Sequence, residues 1–444
     1  MVCHELFSRL RAVADAYLDA IAVTDGIVAL TYAQLLAQVE AEAADMQRQP
    51  GFRDGQFCAL PVRQQTAYIV SLLAIHRAGG ICVPVETATT LPANCLPAVS
   101  DMLFTSGSTG QPKGVLLSER AILADAENLI AAHGYHAGLT FVICGPIHHF
   151  GCWSKVLPTL LTGGTLHILE GLKDVESLFA VLDGATPAAT FLVPTAIRML
   201  LQLHHERLSA VASHIEFIET GAAPIATSDM ERLRTLLPHT RLYNTYASTE
   251  TGVVCTYPFH GQSATDAASA PCLQGCVGPT MQHARLRFDD EQHIIVSGPM
   301  IMSGYLQEQH DSMASDVALA SAPTEIRTSD IGHLSPEGYL IITGRDSDFI
   351  NVGGLKVAPS VVEDAAMSYP GIEDCICIAA PHPLMGQVPR LLVVMKPGIA
   401  FDRRPLIAHL KARLATYQIP LSYEPVSDIL KTFNGKKDRK AYRV

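Results

Sequence analysis

No run of apolar residues in this 444-residue chain is long enough to cross a bilayer as a helix. The first eleven residues, Met1 to Arg11, carry charges where a secretory signal would need an apolar centre. A basic block is missing as well. The 32 lysines and arginines are outnumbered by 43 aspartates and glutamates, so nucleic acid is not an expected partner. Paired cysteine spacing is absent. Eleven cysteines are scattered along the chain, and Cys272 with Cys276, Cys375 with Cys377, and His148-His149 with Cys152 all lack the spacing of a structural zinc site. They read as packing residues, and unpaired thiols fit a reduced, cytoplasmic protein. There is no internal repeat and no low-complexity tract.

The chain does have apolar residues enough for a large core, at 48% of the total, and a length that suggests two or more domains. Apolar, β-rich runs (Phe141 to Cys144, Leu166 to Leu169, Ile215 to Glu219, His293 to Val296) alternate with helical stretches such as Ala121 to His133 and Met230 to Leu237. That alternation predicts an α/β protein of stacked, largely parallel sheets covered by helices. A boundary is expected just after Arg345, giving domains 1–345 and 346–444. In the second, Pro359 to Met367 and Pro405 to Tyr417 read as helices, and Cys375 to Ala379 and Leu391 to Met395 as strands.

The most informative stretch is LFTSGSTGQPKGV, Leu103 to Val115. Thr105 to Gly114 holds three glycines, two serines, two threonines and one lysine. Glycine lets the backbone turn its N–H groups toward an anion, hydroxyls add donors and lysine adds charge. Apolar Met102-Leu103-Phe104 and Val115-Leu116-Leu117 flank it, so it reads as a loop between two buried strands rather than a linker. It is not a Walker loop, because Lys113 precedes Gly114 instead of a hydroxyl residue. The spacing of Gly107, Gly110 and Gly114 also misses the dinucleotide fingerprint.

The run resembles the signature loop of the adenylate-forming superfamily: acyl- and aryl-CoA synthetases, peptide-synthetase adenylation domains and luciferases. Further segments resemble that family in its own order. They include Thr31 to Leu35, with a plausible Thr31/Gln34 capping box, Leu73 to Pro84, Phe191 to Leu200, Gly221 to Pro224, Tyr243 to Gly252 and Ser297 to Tyr305. Thr328-Ser329-Asp330, Gly344-Arg345, Gly353 to Val357 and Asn434 to Lys440 complete the series. The resemblance implies a large N-terminal domain (shortened, because only sixteen residues separate Pro84 from Asp101) and a small, mobile α+β C-terminal one.

It also implies roles for particular residues. Thr105, Ser106, Gly107, Ser108, Thr109, Gly110 and Lys113 would cradle the phosphates of ATP. Thr249 would donate to the α-phosphate, and Glu250 would hold Mg2+. Tyr246 would stack on adenine opposite Gly221, Ala222, Ala223 and Pro224, and Asp330 with Arg345 would bind the ribose. Lys436 would reach in from the small domain to bridge the carboxylate and the α-phosphate; Lys437 is the neighbouring register. His149 would gate the thiol tunnel, with His148 as the competing register, and Gly353, Gly354 and Leu355 would line it. The family's hinge residue falls at Ser347, between Asp346 and Asp348, and the family's glycine after the adenine tyrosine is Ala247.

The implied activity is attack of a carboxylate on the α-phosphorus of ATP, then transfer of the acyl group to a thiol. Phe150 to Lys155 offers no acid to hold an ammonium, which disfavours an amino-acid substrate. Phe150, Trp153, Ala222, Ala247 and Val253 suit an aryl or fatty acid. CoA and the phosphopantetheine of an acyl carrier protein present the same thiol, so both acceptors stay open, as does a homodimer. A luciferase-like enzyme and a silent acyl-nucleotide sensor are rivals; the sensor should have lost Lys436 or Glu250.

Overall fold

The computed structural model describes residues 4–87, 89–93, 95–106, 112–184, 187–261, 272–306, 322–431 and 437–442. Its largest sheet has eight strands. The six central ones run parallel: Ile21–Thr24, Thr165–Ile168, Thr140–Ile143, Ala188–Leu192, Ile215–Gly221 and Arg241–Ser248. Antiparallel Ala29–Thr31 and Gly252–His260 close its edges. Ala188–Leu192 is buried at every position, as a strand covered on both faces requires. One face packs around Phe141, Phe217 and Tyr243, the other around Ile218, Phe179 and Leu242.

A second sheet orders Gly304–Tyr305, Pro112–Leu117, Asp101–Ser106, Ile81–Val85 and Phe57–Pro61. The connection from 86 to 100 stays short by lying close to the chain before it. Leu96 N–H donates to Gly55 O, and a Cβ on Gly55 (φ +74°) would sit 2.5 Å from Pro97 N. The helix Thr66–Ala78 feeds this sheet and ends at Gly79, whose left-handed backbone glycine adopts without penalty. The capping box of Thr31 and Gln34 is formed.

The third sheet corrects the expectation of parallel pairing. Cys276–Gly278, Leu340–Arg345, Glu325–Leu334, His293–Ser297 and Arg285–Phe288 are antiparallel throughout. Residues 289–292, joining Arg285–Phe288 to His293–Ser297, are too few for a crossover and enforce a hairpin.

Beyond residue 349 lies a separate small sheet of Leu355–Val357, Ile350–Val352, Gly386–Met395 and Ile372–His382, with Ser422–Pro425 beside Gly386–Met395. It has its own core around Val362, Cys375, Leu391 and Leu406. The helix Pro359–Met367 falls where the sequence put it. The next helix is Arg403–Lys411 rather than 405–417. Asp402 caps it by accepting the Arg404 N–H, and Pro405 is tolerated in the first turn, where its missing N–H would have had no intrahelical partner. All ten cysteines among the described residues are free thiols, seven of them buried. No helix of the described residues is long and apolar enough to cross a membrane.

Candidate active site

Two parallel strands, Ile215–Gly221 and Arg241–Ser248, end side by side with Gly221 opposite Thr245. A Cβ at Gly221 would lie 2.7 Å from Thr245 O, so only glycine allows this approach. Ala222 follows in the left-handed region at φ 66°, a conformation alanine rarely adopts and one that turns Ala222-Ala223-Pro224 across the strand ends. Tyr246 is buried beside them, and its hydroxyl donates to Asp330 Oδ2 at 2.7 Å. Arg345, the cross-strand partner of Asp330, donates Nε–H to Oδ1 at 2.6 Å. Burial, then the Asp330 charge, pushes the Tyr246 phenol well up, and Asp330 raises the Arg345 guanidinium. Each Asp330 oxygen keeps a second lone-pair site, so the carboxylate can still accept from a pair of hydroxyls.

Lys113 lies on the hairpin of Asp101–Ser106 and Pro112–Leu117, opposite Thr105. Gly107, Ser108, Thr109 and Gly110 lie outside the described residues. The exposed Lys113 ammonium sits 5.3 Å from the centre of the Tyr305 ring, and Tyr305 Oη donates to Glu250 Oε1 at 3.0 Å. Backbone bonds join the same three parts: Met302 N–H to Glu250 O and Leu306 N–H to Gly114 O. Reading the sequence missed the part Tyr305 plays, although it had marked the segment ending there. Burial and Glu250 raise its phenol above the ordinary value.

Thr249 is buried next to Glu250, and the Ser248 hydroxyl accepts the Thr251 N–H at 3.1 Å. The turn is anchored from below by Asp125, whose Oδ1 accepts the Val253 N–H at 2.7 Å. Gly252 (φ +68°) makes this closure possible, because a Cβ there would come within 2.5 Å of Asp125 Oδ1. Burial drives the Asp125 carboxyl up to about 8.

At the other side of Gly221, His149 begins the short helix Phe150–Trp153. His148 Nε2 is 2.9 Å from Glu86 Oε1, and burial lowers its pKa. His148 and His149 group with Glu86, their ligand atoms within 4.8 Å of one another, rather than with Cys152. The rings of Phe150 and Trp153 stack at 6.0 Å. Gly151 backs onto Phe191, where a Cβ would lie 2.7 Å from the ring. One turn on, Lys155 is 2% exposed and donates to Glu219 Oε1 at 2.7 Å; Glu219 is 1% exposed. Neither residue had been marked in the sequence. The signal was there: Glu219 lies inside the largely apolar strand Ile215–Gly221, and Lys155 sits between the apolar helices Phe150–Trp153 and Val156–Leu160.

In the small sheet, Gly353 (φ +58°) and Gly354 (φ +92°) form the two-residue turn of a hairpin, for which positive φ at both positions is the favoured geometry. Leu355 follows, half exposed. The Gly353 N–H donates to Met385 O and the Gly354 N–H to Asn351 Oδ1, so these bonds stay within the small sheet. Lys436 lies outside the described residues. Its neighbour Lys437 is committed elsewhere: its ammonium reaches Asp374 Oδ1 at 3.0 Å, Glu363 Oε2 at 3.9 Å and the Cys375 carbonyl. Asp374 also accepts from Arg198 of the large part at 2.8 Å, and Arg198 holds Asp229 at 3.0 Å. Thr227 N–H to Asp364 Oδ1 and Gln274 Nε2 to Ser360 O cross the same seam.

The family model for AMP-binding enzymes matches residues 10–95 and 98–306, and that for the AMP-binding enzyme C-terminal domain matches 361–436. The chain belongs to the AMP-binding enzyme family. This AMP-binding enzyme is 28% identical over 473 aligned positions to a feruloyl-CoA synthase of Amycolatopsis sp, covering 94% of each chain. It is 30% identical over 343 positions to a 3-[(3aS,4S,7aS)-7a-methyl-1,5-dioxo-octahydro-1H-inden-4-yl]propanoyl:CoA ligase of Rhodococcus jostii (strain RHA1), covering 76% of this chain but only 63% of that relative. Among solved structures, ATP-bound MatB from Rhodopseudomonas palustris superposes with a TM-score of 0.84 at 21% identity, over 100% of this chain and 98% of that one. The expected architecture, a large sheet-rich part and a smaller C-terminal one, is that of these structures.

The residues singled out in this AMP-binding enzyme thus fall into groups. Tyr246, Asp330 and Arg345 form one hydrogen-bonded unit at the strand ends of Gly221. Lys113, Tyr305 and Glu250 form a second. Lys155, Glu219 and Phe191 form a third, with Gly151 of the helix begun by His149 against the Phe191 ring.

Proposed function

We propose that this protein is an AMP-forming acid–thiol ligase that activates a carboxylic acid, aryl rather than fatty, and passes it to CoA. A carboxylate oxygen attacks the α-phosphorus of ATP, giving an acyl adenylate and pyrophosphate. The CoA sulfur then adds to the acyl carbon and AMP leaves. The observation that carries this reading is the convergence of Tyr246, Asp330 and Arg345 with Lys113 and Glu250, which suits a nucleoside at one end and its phosphates at the other.

In this reading Asp330 accepts the ribose hydroxyls while Arg345 fixes its orientation. The approach of Gly221 to Thr245 and the turn at Ala222 make the flat wall facing Tyr246. Thr105, Ser106, Gly107, Ser108, Thr109, Gly110 and Lys113 cradle the leaving pyrophosphate, and Thr249 donates to the α-phosphate. The Glu250 carboxylate, in a turn rich in hydroxyls, is a hard oxygen donor of the kind Mg2+ takes; the ion would offset charge on the phosphates. Lys436 supplies a cation to the reacting carboxylate, and the engagement of Lys437 with Asp374 and Glu363 supports that choice of register. His149 lies at the thiol entry, and Gly353, Gly354 and Leu355 meet the pantetheine after the part beyond Arg345 swings about Ser347.

All the relatives' names point to CoA, and two of them to aryl acids: feruloyl-CoA synthase, and a 2-succinylbenzoate–CoA ligase of Staphylococcus aureus (strain JH9); the octahydro-indenyl propanoyl:CoA ligase takes an alicyclic one. The test is acid-dependent pyrophosphate release from ATP over a panel of aryl and fatty acids, followed by CoA and carrier-protein competition for the acyl group. Aryl-dependent release with thioester on CoA is expected. No acid-dependent release, or adenylate that CoA never captures, defeats the proposal.

A further inference from the structure

Lys155 and Glu219 are an expensive pair to bury. Removing two charges from water costs several kcal/mol per ion, and apolar replacements of a buried pair are commonly neutral or stabilising. Aromatic rings pack around them, with Phe191 beneath the Lys155 ammonium at 5.3 Å and Phe217 on the same strand as Glu219. Stability alone therefore does not call for them.

The pair is also under-used. An ammonium has three donors, and Glu219 Oε1 takes one of those of Lys155. Glu219 Oε2 is buried with no hydrogen-bond partner among the described residues. Besides Lys155, the titratable groups facing Glu219 include Tyr135, whose phenol is raised by burial and then by the Glu219 charge, and His133. The His133 Nδ1 lies 3.4 Å from Oε2 and also lacks a hydrogen bond, its Nε2 is 3.1 Å from Thr256 Oγ1, and burial keeps its ring neutral.

Position gives this spare capacity a direction. Residues two apart on a strand share a face, so Glu219 points to the same side as Gly221, about 6.6 Å deeper along the strand. Phe191 is its in-register neighbour, and Gly151 presses on that ring from the helix side. An acid with its carboxylate at Gly221 and His149 would run down between strand and helix and end at Lys155 and Glu219. The depth is about that of a single benzene ring.

The chemistry of the two ends selects the group. A carboxylate there would meet Glu219, and an ammonium would meet Lys155. A ketone or ether accepts but cannot donate, leaving Glu219 Oε2 unmatched. A hydroxyl does both. We infer that the acid of this enzyme is a benzoate-type acid bearing a meta or para ring hydroxyl, which accepts from Lys155 and donates to Glu219. The inference rests on the acid-activation reading above and deepens it.

The test uses the full-length enzyme with ATP and Mg2+ and compares benzoate, 3- and 4-hydroxybenzoate, 3- and 4-methylbenzoate, cinnamate and octanoate by pyrophosphate release. A hydroxybenzoate is expected to exceed its methyl counterpart by at least about 100-fold in kcat/KM, because an analogue without the hydroxyl leaves the pair unmatched. A separate readout needs no turnover. Trp153 is the sole tryptophan, two residues from Lys155, and its fluorescence should respond to hydroxybenzoates at concentrations where methylbenzoates have no effect. In the double variant Lys155→Met with Glu219→Leu, which removes both charges together, the preference should fall to within about threefold. Equal rates for hydroxyl and methyl acids, or octanoate as the best substrate, overturn this inference and leave acid activation standing. Absence of release with every acid overturns both.

Discussion

Lys155 and Lys437 are both buried lysines, and their surroundings differ in one respect. Lys437 is saturated: two carboxylates and a carbonyl face its ammonium, and its pKa is raised despite burial. Lys155 has one carboxylate partner, an aromatic ring below it, and a neighbouring oxygen left over. The first arrangement has nothing further to bind and holds the small sheet together. The second has capacity to spare and lies under the proposed acid pocket. A buried charge therefore reads as structural or as ligand-directed according to how fully its partners are counted.

That contrast can be broken most sharply at the next lysine. Lys436→Ala is expected to lower adenylate formation by about 10³-fold, the size of effect lost with one electrostatic stabiliser. It should spare CoA transfer from supplied acyl-AMP. Equal loss in both half-reactions, measured by pyrophosphate exchange and by thioester formation, would remove the two-pose idea. Lys437→Ala should instead lower stability and leave both half-reactions of the folded enzyme intact. Asp374 keeps Arg198 and Glu363 keeps Arg439, so the loss is expected to cost about 1.5–3 kcal/mol in the small domain, read by urea denaturation, with the chemistry following only the folded fraction.

A third experiment concerns a buried acid rather than a base. The folded pKa of Asp125 is raised to about 8, while the unfolded carboxyl titrates near 4. Between those values the unfolded state gives up a proton that the folded state keeps. This contribution to stability is complete below about pH 4, falls as pH rises, and is lost by about pH 8. Denaturation at pH 5, 6.5 and 8 should show wild type declining more steeply than Asp125→Asn, which can still accept the Val253 N–H. Parallel curves would mean that Asp125 is ionised throughout.

The smallest effect is expected at Ala222. Its left-handed backbone costs an alanine about 1 kcal/mol, so Ala222→Gly should gain up to roughly that amount in the same assay. Part of the gain is offset by the freer unfolded glycine. A loss of stability would mean that the Cβ packs against something worth more than the strain.

Local order left clear marks in the sequence. The hairpin flanking the phosphate loop, the capping box at Thr31, the parallel strand ending at Gly221 and the helix Pro359–Met367 follow from patterning of nearby residues. The antiparallel third sheet did not, because apolar runs look alike whichever way a strand points, and only the brevity of 289–292 separates the cases. Within the site, Tyr246, Asp330 and Arg345 were marked by motif. Tyr305 and the Lys155–Glu219 pair were not, because each depends on a partner 55 or 64 residues away. No window along the chain contains that information, although a charge inside an apolar strand is a prompt to look for its counterion.

Arg198 sits on the seam with one hand on each part of the molecule, Asp229 on its own side and Asp374 across it. If the small part rotates away, Arg198 keeps Asp229, and Asp374 keeps Lys437. Neither Arg198 nor Asp374 would lose its last counterion in the parting, so the joint would work as a clutch: firm while engaged, and released without leaving that pair of ions unpaired.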